Sequence, residues 1–268
     1  MIKASAAPQS DGSPLWAWFK HVVSTLLALA CMGQMPVVAA DFSVNPIRLE
    51  LGGAARSGAI NVRNESPGKI NFQLQAMAWE QDDKGQDRYV PTNDLVYFPR
   101  IMTIEPGREA VVRVGIRNAV VPTEKTYRLF IEELDSGNAT ESGSGGAAKV
   151  TMLIRFGAPI FVAPLTPVDD LALENLSLSR GVLSLTARNT GNRHQVVEGV
   201  FLQGTDTAGV GVFALTLADR YLLTGTAKGY TTAVPADVCA RLALLSVEFK
   251  TNRKTVTRQL PVVPTLCN

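Results

Sequence analysis

The sequence predicts an all-β protein built as two sandwich domains, and three observations carry that prediction. Apolar and polar residues alternate with a period of two in runs such as Ala59-Ile-Asn-Val-Arg, Asn71-Phe-Gln-Leu-Gln-Ala-Met and Ala110-Val-Val-Arg-Val-Gly-Ile. That spacing turns one face of each run inward and the other to solvent, as in a half-buried strand. Turn-forming clusters punctuate the runs: Gly52-Gly53, Ser66-Pro67-Gly68, Asp82-Asp83-Lys84-Gly85 and Glu105-Pro106-Gly107. No segment sustains a helical period.

Taken in order, seven strands are expected near 42–51, 58–64, 70–80, 95–104, 109–117, 126–134 and 149–162. Seven short antiparallel strands in this length indicate an immunoglobulin-like sandwich. The stretch Ser136-Gly-Asn-Ala-Thr-Glu-Ser-Gly-Ser-Gly-Gly-Ala-Ala reads as a flexible loop between the sixth and seventh. Pro164 and Pro167 bracket a change of character and mark an interdomain linker. Beyond it, strand patterns resume at Leu171–Leu178, Gly181–Ala187, Val196–Leu202, Gly211–Leu217, Leu242–Phe249 and Thr255–Val262. The expected domains are 41–164 and 165–268.

Residues 1–40 read as a cleavable secretory signal. Lys3, Lys20 and His21 precede the apolar run Val22–Met35, and Val38-Ala39-Ala40 is a small-residue cleavage site. Maturation is expected before Asp41. The remaining chain holds His194, Cys239 and Cys267 as its histidine and cysteines. Export permits a Cys239–Cys267 disulfide, with two free thiols as the alternative.

These counts exclude several function classes. One histidine and two cysteines cannot build a Cys/His zinc or iron–sulfur site. The dinucleotide, Walker, nucleophile-elbow and zincin motifs are missing. No metal, cofactor, small-molecule substrate or enzymatic activity is therefore expected. With 26 basic and 24 acidic residues and a net charge of +2, nucleic acid is not expected as a partner.

Several stretches carry a family resemblance. Phe42-Ser-Val-Asn-Pro-Ile-Arg-Leu-Glu-Leu resembles the first strand of the periplasmic pilus-assembly chaperones. Ile60-Asn-Val-Arg-Asn-Glu-Ser-Pro, Gln75-Ala-Met-Ala-Trp79, Pro99-Arg-Ile-Met-Thr-Ile-Glu-Pro-Gly107, Val112-Arg-Val, Tyr127-Arg-Leu-Phe-Ile-Glu-Glu and Pro159-Ile-Phe-Val-Ala-Pro164 follow in the family's order. The resemblance covers nearly all of 42–164 and the second domain only loosely. It implies two immunoglobulin-like domains in a boomerang arrangement, a periplasmic location, and pilin or fimbrial subunits and an outer-membrane usher as partners. It also implies donor-strand complementation, in which the chaperone lends a subunit the strand its own fold lacks. The rival readings are a structural pilus subunit or another exported immunoglobulin-like binding module. A subunit-free chaperone with open edge strands is also free to self-associate.

The resemblance assigns roles to particular residues. Val150, Met152 and Ile154 have the i, i+2, i+4 spacing of the groove-filling side chains and are expected to point away from their own core, with Leu153 facing inward. Arg48 matches the arginine that holds the subunit's terminal carboxylate, a task suited to a guanidinium fork. The lysine that usually accompanies it is replaced by Pro159, and Arg155, of the same strand parity, is the candidate substitute. Glu124 matches the family's interdomain glutamate, but the matching arginine position is Ala163. Trp79 reads as sandwich core and His194 as a loop residue.

Overall fold

The computed structural model describes residues 42–82, 84–134 and 153–267. The expected signal segment, Val150 and Met152 lie outside the described residues. The fold is all-β, as expected, and consists of four sheets in two sandwiches.

In the first sandwich, one sheet contains β1 (Phe42–Asn45), β3 (Ser57–Asn64), β8 (Glu109–Ile116) and β6 (Leu95–Phe98), side by side in that order. The other runs β2 (Leu49–Leu51), β10 (Arg155–Val162), β9 (Lys125–Leu134), β4 (Ile70–Gln81), β5 (Asp87–Pro91), with β7 (Ile101–Ile104) also pairing β4. Two expected strands are thus each split in two. The run 42–51 breaks after Asn45 and the run 95–104 after Phe98, immediately before Pro46 and Pro99. Proline has no N–H for the ladder, so at each break the chain leaves one sheet and continues in the other.

Alternation then fills the core. Ile60, Val62, Val112 and Val114 point in from one sheet, and Phe72, Leu74, Leu129, Ile131, Ile160 and Val162 from the other. Asn64 completes the inward row of β3 although it is polar and fully buried. Its amide donates to the carbonyls of Gly68 (2.7 Å) and Ile104 (2.8 Å), and its oxygen accepts from the Ser66 N–H and hydroxyl, both 2.8 Å. A buried amide is tolerated only when satisfied in this way, which gives the Asn64-Glu-Ser-Pro motif a structural task at the turn.

The second sandwich pairs β11 (Leu171–Ser179), β12 (Val182–Asn189) and β16 (Ala227–Ala233) in one sheet. The other has β14 (Gly211–Leu217), β13 (Gln195–Thr205), β17 (Leu244–Thr251) and β18 (Thr255–Pro261), with β15 (Tyr221–Leu222) on β13. A four-residue helix, α1 (Ala236–Cys239), presents Cys239 to Cys267, and the two form a disulfide with Cα atoms 5.8 Å apart.

The two sandwiches meet along one face of the β2–β10–β9–β4–β5 sheet. Trp79 and Phe161 pack there on Tyr221 and Leu223 of the second sandwich, in a cluster separate from either core. In β4 the core-facing residues are Phe72, Leu74 and Ala76. Trp79 has the opposite parity, so it is buried at 1% exposure but against the neighbouring sandwich. The expectation of Trp79 in the sandwich core is corrected accordingly. Gln81 clasps the same seam: its amide donates to Tyr221 O (3.0 Å), and its oxygen accepts from Leu223 N–H (2.9 Å).

Candidate functional site

Strand β10 is paired unequally on its two sides. Against β9 it is antiparallel over its whole length, from Arg155 opposite Glu132 to Val162 opposite Lys125. Against β2 it is parallel, and only Ile160, Phe161 and Val162 take part. Among the described residues, Arg155–Pro159 therefore have no partner on that side. This stretch is an open strand edge, on which Gly157 O accepts from the Arg128 side chain (3.0 Å) and Pro159 has no N–H.

The parity of β10 corrects one expectation. Ala158, Ile160 and Val162 are fully buried in the first core, and Phe156 and Ile154 pack against it from the same face. Leu153, expected inward, is 52% exposed. The reason is the period of two: Ile154 shares the parity of Ile160 and Val162, so Leu153 must face the other way. The row to which Ile154 belongs is thus a continuation of the core face, and not a row turned away from the core.

Arg48 and Arg155 are not brought together. Leu49 lies opposite Ile160, so extending that parallel register by one residue puts Arg48 level with Pro159. Arg155 is four residues back along β10, about 13 Å at the strand rise. Arg48 is half-exposed with its Nη2 3.5 Å from Glu50. Arg155 lies with its Cζ 3.9 Å over the Phe130 ring and its Nε 3.7 Å from Glu132. Both are solvated pairs of small energetic weight.

Glu124 does lie between the sandwiches, and its partner is His194. The two side chains are 2% and 3% exposed. His194 donates its backbone N–H to Oε1 at 2.8 Å, and its Nδ1 lies 2.9 Å from each carboxylate oxygen. A carboxylate only accepts, so Nδ1 carries a proton here. The imidazole also stacks on Phe161 at 3.6 Å. His194 lies in the loop that precedes β13, as expected, and its side chain is buried at the interface. Beside it, Asn192 donates to the carbonyls of Pro122 (3.1 Å) and Thr166 (2.9 Å). Two carboxyls of the connecting segment are held below the usual carboxylate range. Asp169 is held there chiefly by the Arg193 guanidinium, and Asp170, at about 2, chiefly by the Lys254 ammonium.

Residues 41–167 match the family model for the pili and flagellar-assembly chaperone, PapD N-terminal domain. The first sandwich belongs to the PapD-type pilus-assembly chaperones. That family is non-enzymatic. No curated protein sequence matches the chain. Among solved structures, the CsuC–CsuE chaperone–tip adhesion subunit pre-assembly complex from the archaic Csu pili of Acinetobacter baumannii is similar to it, with a TM-score of 0.54, 17% identity, and coverage of 82% of this chain and 98% of that one. The Salmonella enterica SafB chaperone in complex with SafA pilin gives 0.54, 13% identity and coverage of 85% and 99%. The class 5 fimbriae chaperone CfaA gives 0.51, 16% identity and coverage of 83% and 99%. At these identities the likeness establishes a shared fold, and it extends through both sandwiches.

Within the PapD-type domain and its seam, sequence reasoning missed His194, Gln81 and Arg128. Arg128 sits on β9 opposite Pro159, with its Cζ 3.9 Å over the Trp79 ring. The parity of β9 could have found it. Leu129 and Ile131 are core, so Arg128 lies on the interdomain face with Phe130. Nothing comparable flags His194, whose partner is seventy residues away.

Proposed function

We propose that this protein is a periplasmic chaperone that captures exported pilin or fimbrial subunits by donating a strand, and then passes them to an outer-membrane usher. The observation that carries the reading is the half-open edge of β10. Residues Arg155–Pro159 offer backbone groups on one side while β9 holds the strand on the other. Strand addition needs that combination: a rigid template strand with a free edge.

The donated side chains in this reading are Val150, Met152 and Ile154. Ile154 belongs to the parity that fills the chaperone's own core at Ala158, Ile160 and Val162, and Met152 and Val150 are two and four residues before it in the sequence. A subunit groove joined to this edge would continue the core, with the same row of apolar side chains now filling a second sandwich. Arg48, level with Pro159 and half-exposed, supplies a guanidinium for the subunit's terminal carboxylate. Arg155 serves as part of the exposed strand surface. Residues 1–40 act as the export signal, removed before Asp41, and the PapD-type domain and the second sandwich divide near Pro164. The CsuC and SafB complexes support the partner class, since each joins a chaperone to a pilus subunit.

The test is to tag the protein, purify it from the periplasm of its host and identify what co-purifies. A stoichiometric β-rich subunit is expected, together with an N-terminus at Asp41 by mass spectrometry. Arg48→Ala should leave the circular dichroism unchanged and lower subunit recovery. Recovery of the chaperone alone from cells assembling pili would overturn the reading.

A further inference from the structure

An open strand edge is a hazard to the protein that carries it, because a stray chain can pair with it. Antiparallel pairing turns both backbone groups of every second residue to the same side. Glu133 N–H donates to Ile154 O at 3.0 Å, and the β9 register runs without a shift from Arg155 to Val162. Ile154, Phe156 and Ala158 therefore turn their backbone groups to β9, and Arg155, Gly157 and Pro159 turn theirs to the open side. Ala163, of the same odd series, donates its N–H to Leu51 O at 2.8 Å on that side.

One acceptor of the open side is already taken. Arg128 lies on β9 opposite Pro159, and its Nη1 donates to Gly157 O at 3.0 Å. To reach that oxygen the side chain crosses β10 diagonally over Gly157. A Cβ at Gly157 would lie 3.7 Å from Arg128 Cδ and 3.0 Å from the Phe130 ring, so the crossing uses the space a side chain would fill. The guanidinium is also held at the seam. Its Cζ lies 3.9 Å over the Trp79 ring, its Nη2 is 4.0 Å from Asp87 Oδ2, and the side chain is 15% exposed. Arg128 thus ties the edge carbonyl to the seam between the sandwiches.

We propose that Arg128 guards the donor edge: it closes the Gly157 carbonyl in the subunit-free protein and yields it to the backbone N–H of a captured strand. This rests on the strand donation proposed above and adds a regulation of that same edge. An added strand runs about 4.8 Å from β10 and aims an N–H at each outward carbonyl, which is the space that Arg128 Nη1 reaches into. A guanidinium bond is charge-assisted and stronger than one from a neutral N–H. A chain offering a single N–H therefore does not displace it, whereas a full strand, bonding along the whole edge, does. The guard closes the edge to casual contacts and leaves it open to a strand.

Wild-type protein and Arg128→Met, carrying different tags, are expressed together in the host, and the subunit recovered on each tag is quantified. Methionine keeps an unbranched apolar stem beside Trp79 and removes the donors. The variant is expected to hold about fivefold more subunit than the wild type, the factor for one hydrogen bond that no longer has to be displaced. Arg258→Met, which removes an exposed cation on β18, should give equal shares. An equal or smaller share for Arg128→Met with an unchanged thermal midpoint overturns the guard and leaves strand donation standing. So does a gain by Arg258→Met equal to that of Arg128→Met. If the Arg128→Met midpoint falls, the unsubstituted protein decides, through the nitrogen-15 signals of the Arg128 guanidinium. Its Nη groups should be distinct in the free protein and averaged by rotation once the subunit is bound; signals that the subunit leaves unchanged overturn the guard. No subunit on any tag overturns strand donation, and the guard with it.

Discussion

A carboxylate sealed between two sandwiches, as Glu124 is, tolerates the loss of its partner badly. Removing the His194 ring leaves the buried charge with only the backbone N–H of residue 194. His194→Ala is therefore expected to destabilise the protein by about 3 kcal/mol. Replacing both residues with leucine should cost less than the sum of the two single changes, because no charge is then left buried. Thermal unfolding of the three variants decides this, and additive losses would show that the two residues act independently. The glutamate half of this contact was legible in the sequence through the resemblance, which also marked the usual arginine as missing at Ala163. The histidine half was not, since a single polar residue in a turn carries no periodic signal of burial.

At the scale of the element, legibility followed alternation. Strands with a buried and an exposed face, such as β3 and β4, stood out. β5 was missed because all five of its residues are exposed and offer no alternation to read. β16 was missed because Tyr230 is the one residue of Ala-Lys-Gly-Tyr-Thr-Thr-Ala that is buried. Register was harder still, since the pattern of β10 does not say where β2 stops pairing, and that stopping point is what opens the edge. The parity of β10 makes a sharp prediction about its N-terminal approach. Met152→Thr or Ile154→Thr should lower subunit recovery, whereas Leu153→Thr, at an exposed position, should change stability by less than about 0.5 kcal/mol and leave recovery intact. Co-purification and a thermal melt of each variant are the measurements. A Leu153 variant that loses the subunit while the other two keep it would reverse the assignment of faces.

For the molecule as a whole, two all-β sandwiches were legible because composition and periodicity report averages over many residues. The seam between them was not, because it rests on Gln81, Trp79, Phe161 and Tyr221 meeting across long separations. The second sandwich has a covalent device of its own. The Cys239–Cys267 bridge spans 28 residues, so its reduction is expected to cost roughly 3.6 kcal/mol on the loop-entropy estimate. Unfolding in urea with and without reductant measures this, and coincident midpoints would assign the bridge no stabilising role. The seam has an optical consequence as well. Trp16, Trp18 and Trp79 are the tryptophans of the chain, and the first two fall in the segment proposed to be removed. The processed protein would then emit through Trp79 alone, whose indole lies under the Arg128 guanidinium and edge-on to Tyr221 at 5.2 Å. Any opening of the seam should wet that ring and shift its emission to the red, so unlabelled protein would report its own hinge motion in a fluorimeter as a subunit is added.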